Sequence, residues 1–87
     1  MPIVEIYTSP YCGYCHATKR LLHKKSAAFQ EIDISGNPGR RSEMLGRANG
    51  GHTVPQIFIN DKHIGGCDEL HAMERSGQLG AILSEWE

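Results

Sequence analysis

Two cysteines separated by two residues, Cys12 and Cys15, lie at the junction between an apolar stretch and an amphipathic one. The apolar stretch, residues 3–7, stays mostly hydrophobic, as does a strand in the centre of a sheet. From residue 12 to about residue 25 the hydrophobic residues recur with the period of a helix, and basic residues gather at its C-terminal end, where the helix dipole favours them. With a second strand over 29–34, the pattern predicts a parallel βαβ unit with both cysteines at the start of its helix.

The rest of the chain predicts a small α/β fold. Asn37 and Pro38 are typical of a helix start, and a hairpin with strands 56–59 and 62–64 follows this second helix. A third helix, capped by Asp68, and a short fourth helix complete the order β-α-β-α-β-β-α-α. We therefore expect a thioredoxin-like fold, in which a four-stranded mixed sheet is flanked by helices. The face of the first helix expected to pack on this sheet carries Tyr14, Ala17, Leu21 and Leu22.

Length and composition restrict the function. Eighty-seven residues predict a single domain over 1–87. The net charge of −1 favours neither a nucleic-acid partner nor a polybasic contact with a membrane. The apolar runs are too short to span a bilayer, and the N-terminal residues lack the pattern of a signal peptide, so the expected location is cytoplasmic.

The cysteine pair carries the chemistry that the sequence favours. Helix-start amides and the helix dipole both favour the thiolate form of Cys12, whereas Cys15 lies one turn deeper and within bonding reach. We therefore predict that Cys12 attacks a disulfide and that Cys15 resolves the mixed disulfide. Inert thiols and a zinc site are the alternatives. Such a site would need Cys67 as a third ligand and His16 or His52 as a fourth.

Two further segments suggest a ligand site. A cis bond between Val54 and Pro55 would turn the N–H and C=O groups of Val54 towards an extended peptide, although a trans proline opening a strand is the commoner arrangement. The sequence Gly65-Gly66-Cys67-Asp68 would let a ligand approach the backbone at a helix start, where free N–H groups suit a carboxylate. A plain strand-to-helix turn with Asp68 as the cap is the alternative.

Taken together, Cys12-Gly13-Tyr14-Cys15, Thr53-Val54-Pro55 and Gly65-Gly66-Cys67-Asp68 resemble the dithiol glutaredoxin family. The resemblance covers essentially the whole chain and is closest to the short bacterial class related to glutaredoxin 3. It implies a thioredoxin-like fold, a cis Pro55, catalysis by Cys12 and Cys15, and glutathione as co-substrate. The glutathione-binding residues that it implies are Tyr14, Thr53, Val54, Pro55, Gly66, Cys67 and Asp68.

The function implied by this resemblance is the reduction of protein–glutathione mixed disulfides and protein disulfides by a monomer. The chain departs from the family pattern at Gly13, where proline is commonest, and Ser9 and His52 stand where many members carry basic residues. Some members with glycine at this position bind a [2Fe–2S] cluster between two subunits, through two protein thiolates and two glutathiones. A dimeric cluster carrier or sensor is therefore the alternative function. Arg47 is a candidate to replace the missing basic residues.

Overall fold

The computed structural model describes residues 2–84, which form a four-stranded sheet with helices on both faces. The elements are, in chain order, β1 (Val4–Thr8), α1 (Gly13–Lys24), β2 (Gln30–Asp33), α2 (Pro38–Arg47), β3 (Gln56–Ile59), β4 (Lys62–Gly65), α3 (Cys67–Ser76) and α4 (Gln78–Ser84). This order confirms the predicted β-α-β-α-β-β-α-α arrangement and the thioredoxin-like fold. Within residues 2–84, no helix has both the length and the apolar character needed to cross a membrane.

β1 lies inside the sheet, whose strand order is β2-β1-β3-β4. It pairs in parallel with β2, where Tyr7 is opposite Ile32, and antiparallel with β3, where Ile6 is opposite Ile57. Since helices cover both faces, side chains of either orientation are buried in this strand, which explains its nearly continuous hydrophobic sequence. The C-terminal end of β1 leads directly to the first cysteine.

Each face of the sheet has its own hydrophobic cluster. The thiol-side cluster joins β1 and β3 to α1, α3 and α4, and its buried residues are Val4, Ile6, Leu21, Leu22, Ile57, Ile59, Leu70 and Leu79. The α2-side cluster joins the opposite face to α2, and its buried residues are Tyr7, Ile32, Ile34, Met44, Ala48 and Phe58. The alternation of side chains along β1 and β3 divides the residues between the clusters.

The turn and cap residues behave largely as the sequence predicts. The side chain of Asn37 accepts a hydrogen bond from the backbone N–H of Arg40 at 3.1 Å, which caps α2. Asn60 and Asp61 both have positive φ, 53° and 66°, as the two-residue turn of a twisted hairpin requires. Gly77 ends α3 in the left-handed conformation, with φ of 83°.

Two local predictions were wrong. Tyr14 is not packed, although Leu21, seven residues later and at nearly the same angle around α1, is buried. The difference arises because Tyr14 lies in the first turn of α1, which faces an open groove. The side chain of Tyr14 is 68% exposed.

Asp68 does not cap α3, because the cap position is occupied two residues earlier by Gly66 and the helix begins at Cys67. Gly66 has no side chain to accept a hydrogen bond. Instead, Oε1 of Glu69 reaches back and accepts from the Gly66 N–H at 2.7 Å.

Candidate active site

Cys12 occupies the N-cap position of α1, with an extended backbone, and its side chain is partly exposed. Its Sγ atom accepts a hydrogen bond from the backbone N–H of Cys15 at 3.0 Å. On its other side the thiol donates to the C=O of Val54 at 3.5 Å. A sulfur at a helix start, with an amide donor directed at it, is in a position that favours negative charge.

Cys15 lies one turn further into the same helix and is fully buried. Burial, and after it the hydrogen bond with Cys12, raise the pKa of Cys15 to about 12, although a hydrogen bond with the Ser9 backbone acts in the opposite direction. Both thiols are free, as is that of Cys67. The pair is therefore unequal, because solvent reaches the first sulfur and the second remains a buried, protonated thiol at neutral pH.

The segment from Thr53 to Pro55 lies directly beside the Cys12 sulfur. The Val54–Pro55 peptide bond is cis, as the family resemblance implies. Among the hydrogen bonds within residues 2–84, none uses the backbone N–H of Val54. The buried side chain of Gln56 supports the segment by donating to the C=O of Thr53 at 3.0 Å. The segment thus presents an unused peptide donor next to the thiol.

The start of α3 approaches the same segment closely. A Cβ added to Gly66 would lie 3.3 Å from the C=O of Pro55, so only a residue without a side chain fits this approach comfortably. Gly65 has φ of +123° and a Cβ there would meet the Glu69 side chain at 2.8 Å, so this position requires glycine. The first-turn N–H groups of Cys67 and Asp68 have no partners inside the helix.

These three segments form one open groove of about 340 Å³. The structure brings together all seven residues that the family resemblance implies for glutathione. The groove is lined by Tyr14, Thr53, Val54, Pro55, Gly66, Cys67, Asp68 and Glu69. Glu69 is the lining residue that the sequence reasoning missed, and the signal for it was a glutamate at the third position of a helix that lacks a capping side chain.

The zinc alternative gains no support from the arrangement of these side chains. Within residues 2–84, no three His, Cys, Asp or Glu side chains are grouped to hold a metal ion. His16 is exposed and its Nε2 lies 3.3 Å from the C=O of Pro10. Cys67 instead has a neighbour on its own helix, since its Sγ lies 3.4 Å from Nδ1 of His71.

Arg47 does not replace the missing basic residues near the thiols. Its guanidinium is paired with Glu5 at 2.8 Å and with Asp61 at 3.2 Å. Asp61 lies in the turn between β3 and β4, and Glu5 lies near the start of β1, so both are at the end of the sheet away from Cys12. His52 is exposed and is outside the groove lining.

Comparisons with known proteins agree with this geometry. A family model described as Glutaredoxin matches residues 4–64. The chain is 54% identical over 84 residues to a glutaredoxin of Pseudomonas aeruginosa, covering 97% of this chain and 99% of that protein. It is 52% identical over 83 residues to glutaredoxin 3 of Escherichia coli strain K12, covering 95% and 99%. Among solved structures, a buckwheat glutaredoxin–glutathione complex is similar with a TM-score of 0.86 and 34% identity, over 94% of this chain and 76% of that one.

Proposed function

This chain belongs to the glutaredoxin family of thiol–disulfide oxidoreductases, and we propose that it uses glutathione to reduce protein–glutathione mixed disulfides and protein disulfides. The observation that carries the proposal is a groove that contains an unused peptide donor and a helix start, and whose lining residue Val54 contacts the partly exposed Cys12 sulfur. A tripeptide thiol with two carboxylates and one ammonium group offers a chemical partner for each of these features.

In the glutathione route, the Cys12 thiolate attacks the glutathione sulfur of a mixed disulfide. The new S–S bond joins Cys12 to glutathione, and the target protein leaves as a thiolate that takes up a proton. A second glutathione thiolate then attacks the glutathione sulfur of this adduct. Glutathione disulfide forms and Cys12 is released as a thiolate, so that Cys15 takes no part in this route.

In the dithiol route, Cys12 attacks a protein disulfide and becomes joined to one of its sulfurs. Cys15 loses its proton and attacks the Cys12 sulfur, which forms the Cys12–Cys15 disulfide and releases the target as a dithiol. Two glutathione molecules then reduce this disulfide. The depth of Cys15 supports its assignment to the second step, because a buried sulfur meets Cys12 and not a bulky target.

The lining of the groove supports one orientation of glutathione. The peptide groups of Val54 would pair with the cysteinyl part of glutathione, and Thr53, Pro55 and Tyr14 would flank it. The N–H groups of Cys67 and Asp68, at the start of α3 after Gly66, would receive the γ-glutamyl carboxylate. The Asp68 carboxylate would bind the neighbouring ammonium group. The buckwheat relative was solved as a glutaredoxin–glutathione complex, which supports glutathione as the ligand.

Glutathione-coupled reduction of a glutathionylated peptide tests the proposal. We expect Cys12→Ser to abolish turnover, because Cys12 is the thiol at the N-cap of α1. Cys15→Ser should retain the glutathione route and lose the reduction of protein disulfides. Turnover that survives in Cys12→Ser would refute the assignment of the nucleophile. A native chain without turnover would refute glutathione dependence.

The other sequence-based expectations stay predictions. The [2Fe–2S] alternative rests on Gly13, and no contact among residues 2–84 specifically favours it over the oxidoreductase. Visible absorbance after anaerobic purification would test for the cluster, and sedimentation would test the predicted monomer. The cytoplasmic location and the single domain over 1–87 likewise stay predictions.

A further inference from the structure

A lysine one helical turn after the buried thiol is held in place by an ion pair that connects it to two strands. Lys19 is four residues after Cys15 in α1, and its Nζ atom forms an ion pair with Oε2 of Glu31 at 3.0 Å. The same carboxylate oxygen accepts a hydrogen bond from the hydroxyl of Thr8 at 2.8 Å. Thr8 is buried at the end of β1 and Glu31 lies in β2, so the lysine is connected to both strands of the βαβ unit.

The geometry of a helix directs this lysine towards the thiol. Residues i and i+4 share one face, and helical side chains lean towards the N-terminus, so that a side chain covers the turn before its own. Lys19 therefore leans over the turn that contains Cys15. Its positive charge favours the ionised form of Cys15 and opposes the effect of burial on the pKa of that thiol.

Other charged groups near this site do not duplicate the effect. The thiol of Cys12 disfavours ionisation of Cys15. The hydroxyl of Thr8 and the ammonium of Lys19 together hold the pKa of Glu31 below its ordinary value, so this carboxylate stays negative at neutral pH. Lys19 favours ionisation of Cys15, with an effect smaller than those of burial, Cys12 and the Ser9 backbone.

We propose that Lys19 is a positioning residue for the dithiol route, in which its ammonium group stabilises the Cys15 thiolate as that thiolate forms and attacks Cys12. The inference rests on the proposed function because it concerns the resolving step of that reaction. In this step the Cys15 S–H bond breaks and its proton passes to solvent. The S–S bond between Cys12 and the target breaks as the Cys12–Cys15 bond forms, and the target sulfur leaves with the electron pair and is protonated. No additional oxidant or reductant is needed.

The same helix supplies a matched control. Lys25 forms an ion pair with Glu74 at 3.1 Å, and its side chain is about as exposed as that of Lys19. This pair lies at the C-terminal end of α1, away from both active-site thiols. Lys25→Met therefore shows what the loss of a comparable ion pair does to the protein without a change beside Cys15.

An aryl disulfide with a coloured leaving group, used in excess in a Cys67→Ser background, separates the two steps without glutathione. Attack by Cys12 releases the first coloured thiolate, and attack by Cys15 on the Cys12 adduct releases the second. For each unit by which loss of the cation raises the pKa of Cys15, the thiolate fraction falls about tenfold and its nucleophilicity rises about threefold. We therefore expect Lys19→Met to slow the second phase at neutral pH, by about threefold for each such unit. The first phase should change much less, and Lys25→Met should leave both phases near those of the native chain.

Two conservative variants distinguish charge from structure. Lys19→Arg keeps the cation and should restore the second phase. Glu31→Gln removes the ion pair but keeps a carbonyl oxygen that accepts from Lys19 and Thr8, so the second phase should be as fast as in the native chain or faster. Equal slowing in Lys19→Met and Glu31→Gln, or an unchanged second phase in Lys19→Met, would overturn the inference.

Two checks keep the outcomes separate. Far-UV circular dichroism shows whether Lys19→Met is folded, and Lys19→Gln replaces it if it is not. A native chain that shows two phases but no glutathione-coupled turnover would refute glutathione dependence alone, because the aryl assay tests Lys19 independently.

Discussion

The two faces of the sheet hold their helices by different means. The thiol-side cluster is aliphatic, with leucine, isoleucine and valine side chains from two strands and three helices. The α2-side cluster contains two aromatic rings, Tyr7 and Phe58, which meet edge to face at 5.7 Å. The guanidinium of Arg47 lies 4.1 Å from the centre of the Phe58 ring. The core beneath α1 is therefore formed by aliphatic packing, with ion pairs of Lys19 and Lys25 outside that core, whereas aromatic and charged groups take part in the packing of α2 itself.

Arg47 is the centre of the directional contacts. It donates to Glu5 at 2.8 Å and to the hydroxyl of Tyr7 at 2.9 Å, and that hydroxyl donates in turn to Glu43. Burial, followed by the hydrogen bond to Glu43, raises the pKa of Tyr7, so the hydroxyl stays protonated at neutral pH. None of these groups lines the groove. The α2 side therefore contributes stability, whereas the thiol side also carries the candidate active site.

We expect the greatest loss in the free energy of unfolding from a substitution in the thiol-side cluster. Leu70 is fully buried in α3, close after the helix start that lines the groove. Leu70→Ala leaves a cavity between α3 and the sheet, and we expect a loss of about 3 kcal/mol in the free energy of unfolding. Urea denaturation measures this loss, and Ile3→Ala, at an exposed position, is the control. A loss below about 1 kcal/mol would show that this cluster is not the main core.

A smaller loss in the free energy of unfolding, with turnover retained, is expected for a substitution on the α2 side. Arg47→Met should cost about 1–2 kcal/mol, because Glu5 and the Tyr7 hydroxyl lose their donor while water can still reach part of the site. Glutathione-coupled turnover should remain within about twofold of the native rate, since tolerance to surface and remote changes is usual. Arg41→Met provides an exposed arginine on the same helix as the control. Loss of turnover in folded Arg47→Met would show that the contacts on the α2 side also affect the candidate active site.

The smallest effect concerns alkaline pH. The folded chain raises the pKa of Cys15 from 9.0 to about 12, so the folded state keeps this proton at a pH where the unfolded chain has lost it. The contribution of this proton to the free energy of unfolding is complete below about pH 9 and is lost as the pH rises towards the folded pKa. Between pH 9 and about pH 10 the loss is about 1 kcal/mol. Urea midpoints of the reduced chain should fall more steeply in this window than those of Cys15→Ser. If the urea midpoints of both chains changed equally with pH, Cys15 would ionise as easily in the folded chain as in the unfolded chain.

Local sequence patterns predicted the order of elements and most of their ends. Asn37, the Asn60-Asp61 turn and Gly77 act within a few residues of themselves, so their roles can be recognised without knowledge of the fold. Helical periodicity failed for Tyr14 because the first turn of α1 borders the groove, where no neighbouring helix covers the side chain.

These local patterns do not predict contacts between segments that are distant in the sequence. Arg47 meets Glu5 across 42 residues, and Lys19 meets Glu31 only because β2 returns beside β1. The groove itself was anticipated through the family resemblance, since a proline before a strand and two glycines before a helix do not reveal by themselves that they meet. The role of Glu69 was missed because Asp68 seemed a sufficient cap.

The contacts proposed for glutathione use main-chain groups of Val54, Cys67 and Asp68, and the side chains of Gln56, outside the groove lining, and Glu69, within it, support the segments that carry these groups. Main-chain groups are the same for every amino acid except proline and are unaffected by most point mutations. Side chains along the groove can therefore drift over evolutionary time, and alter the choice of protein target, while the common recognition surface persists. Mutational robustness of this kind would be lost first at Gln56, whose buried side chain supports the C=O of Thr53 without lining the groove.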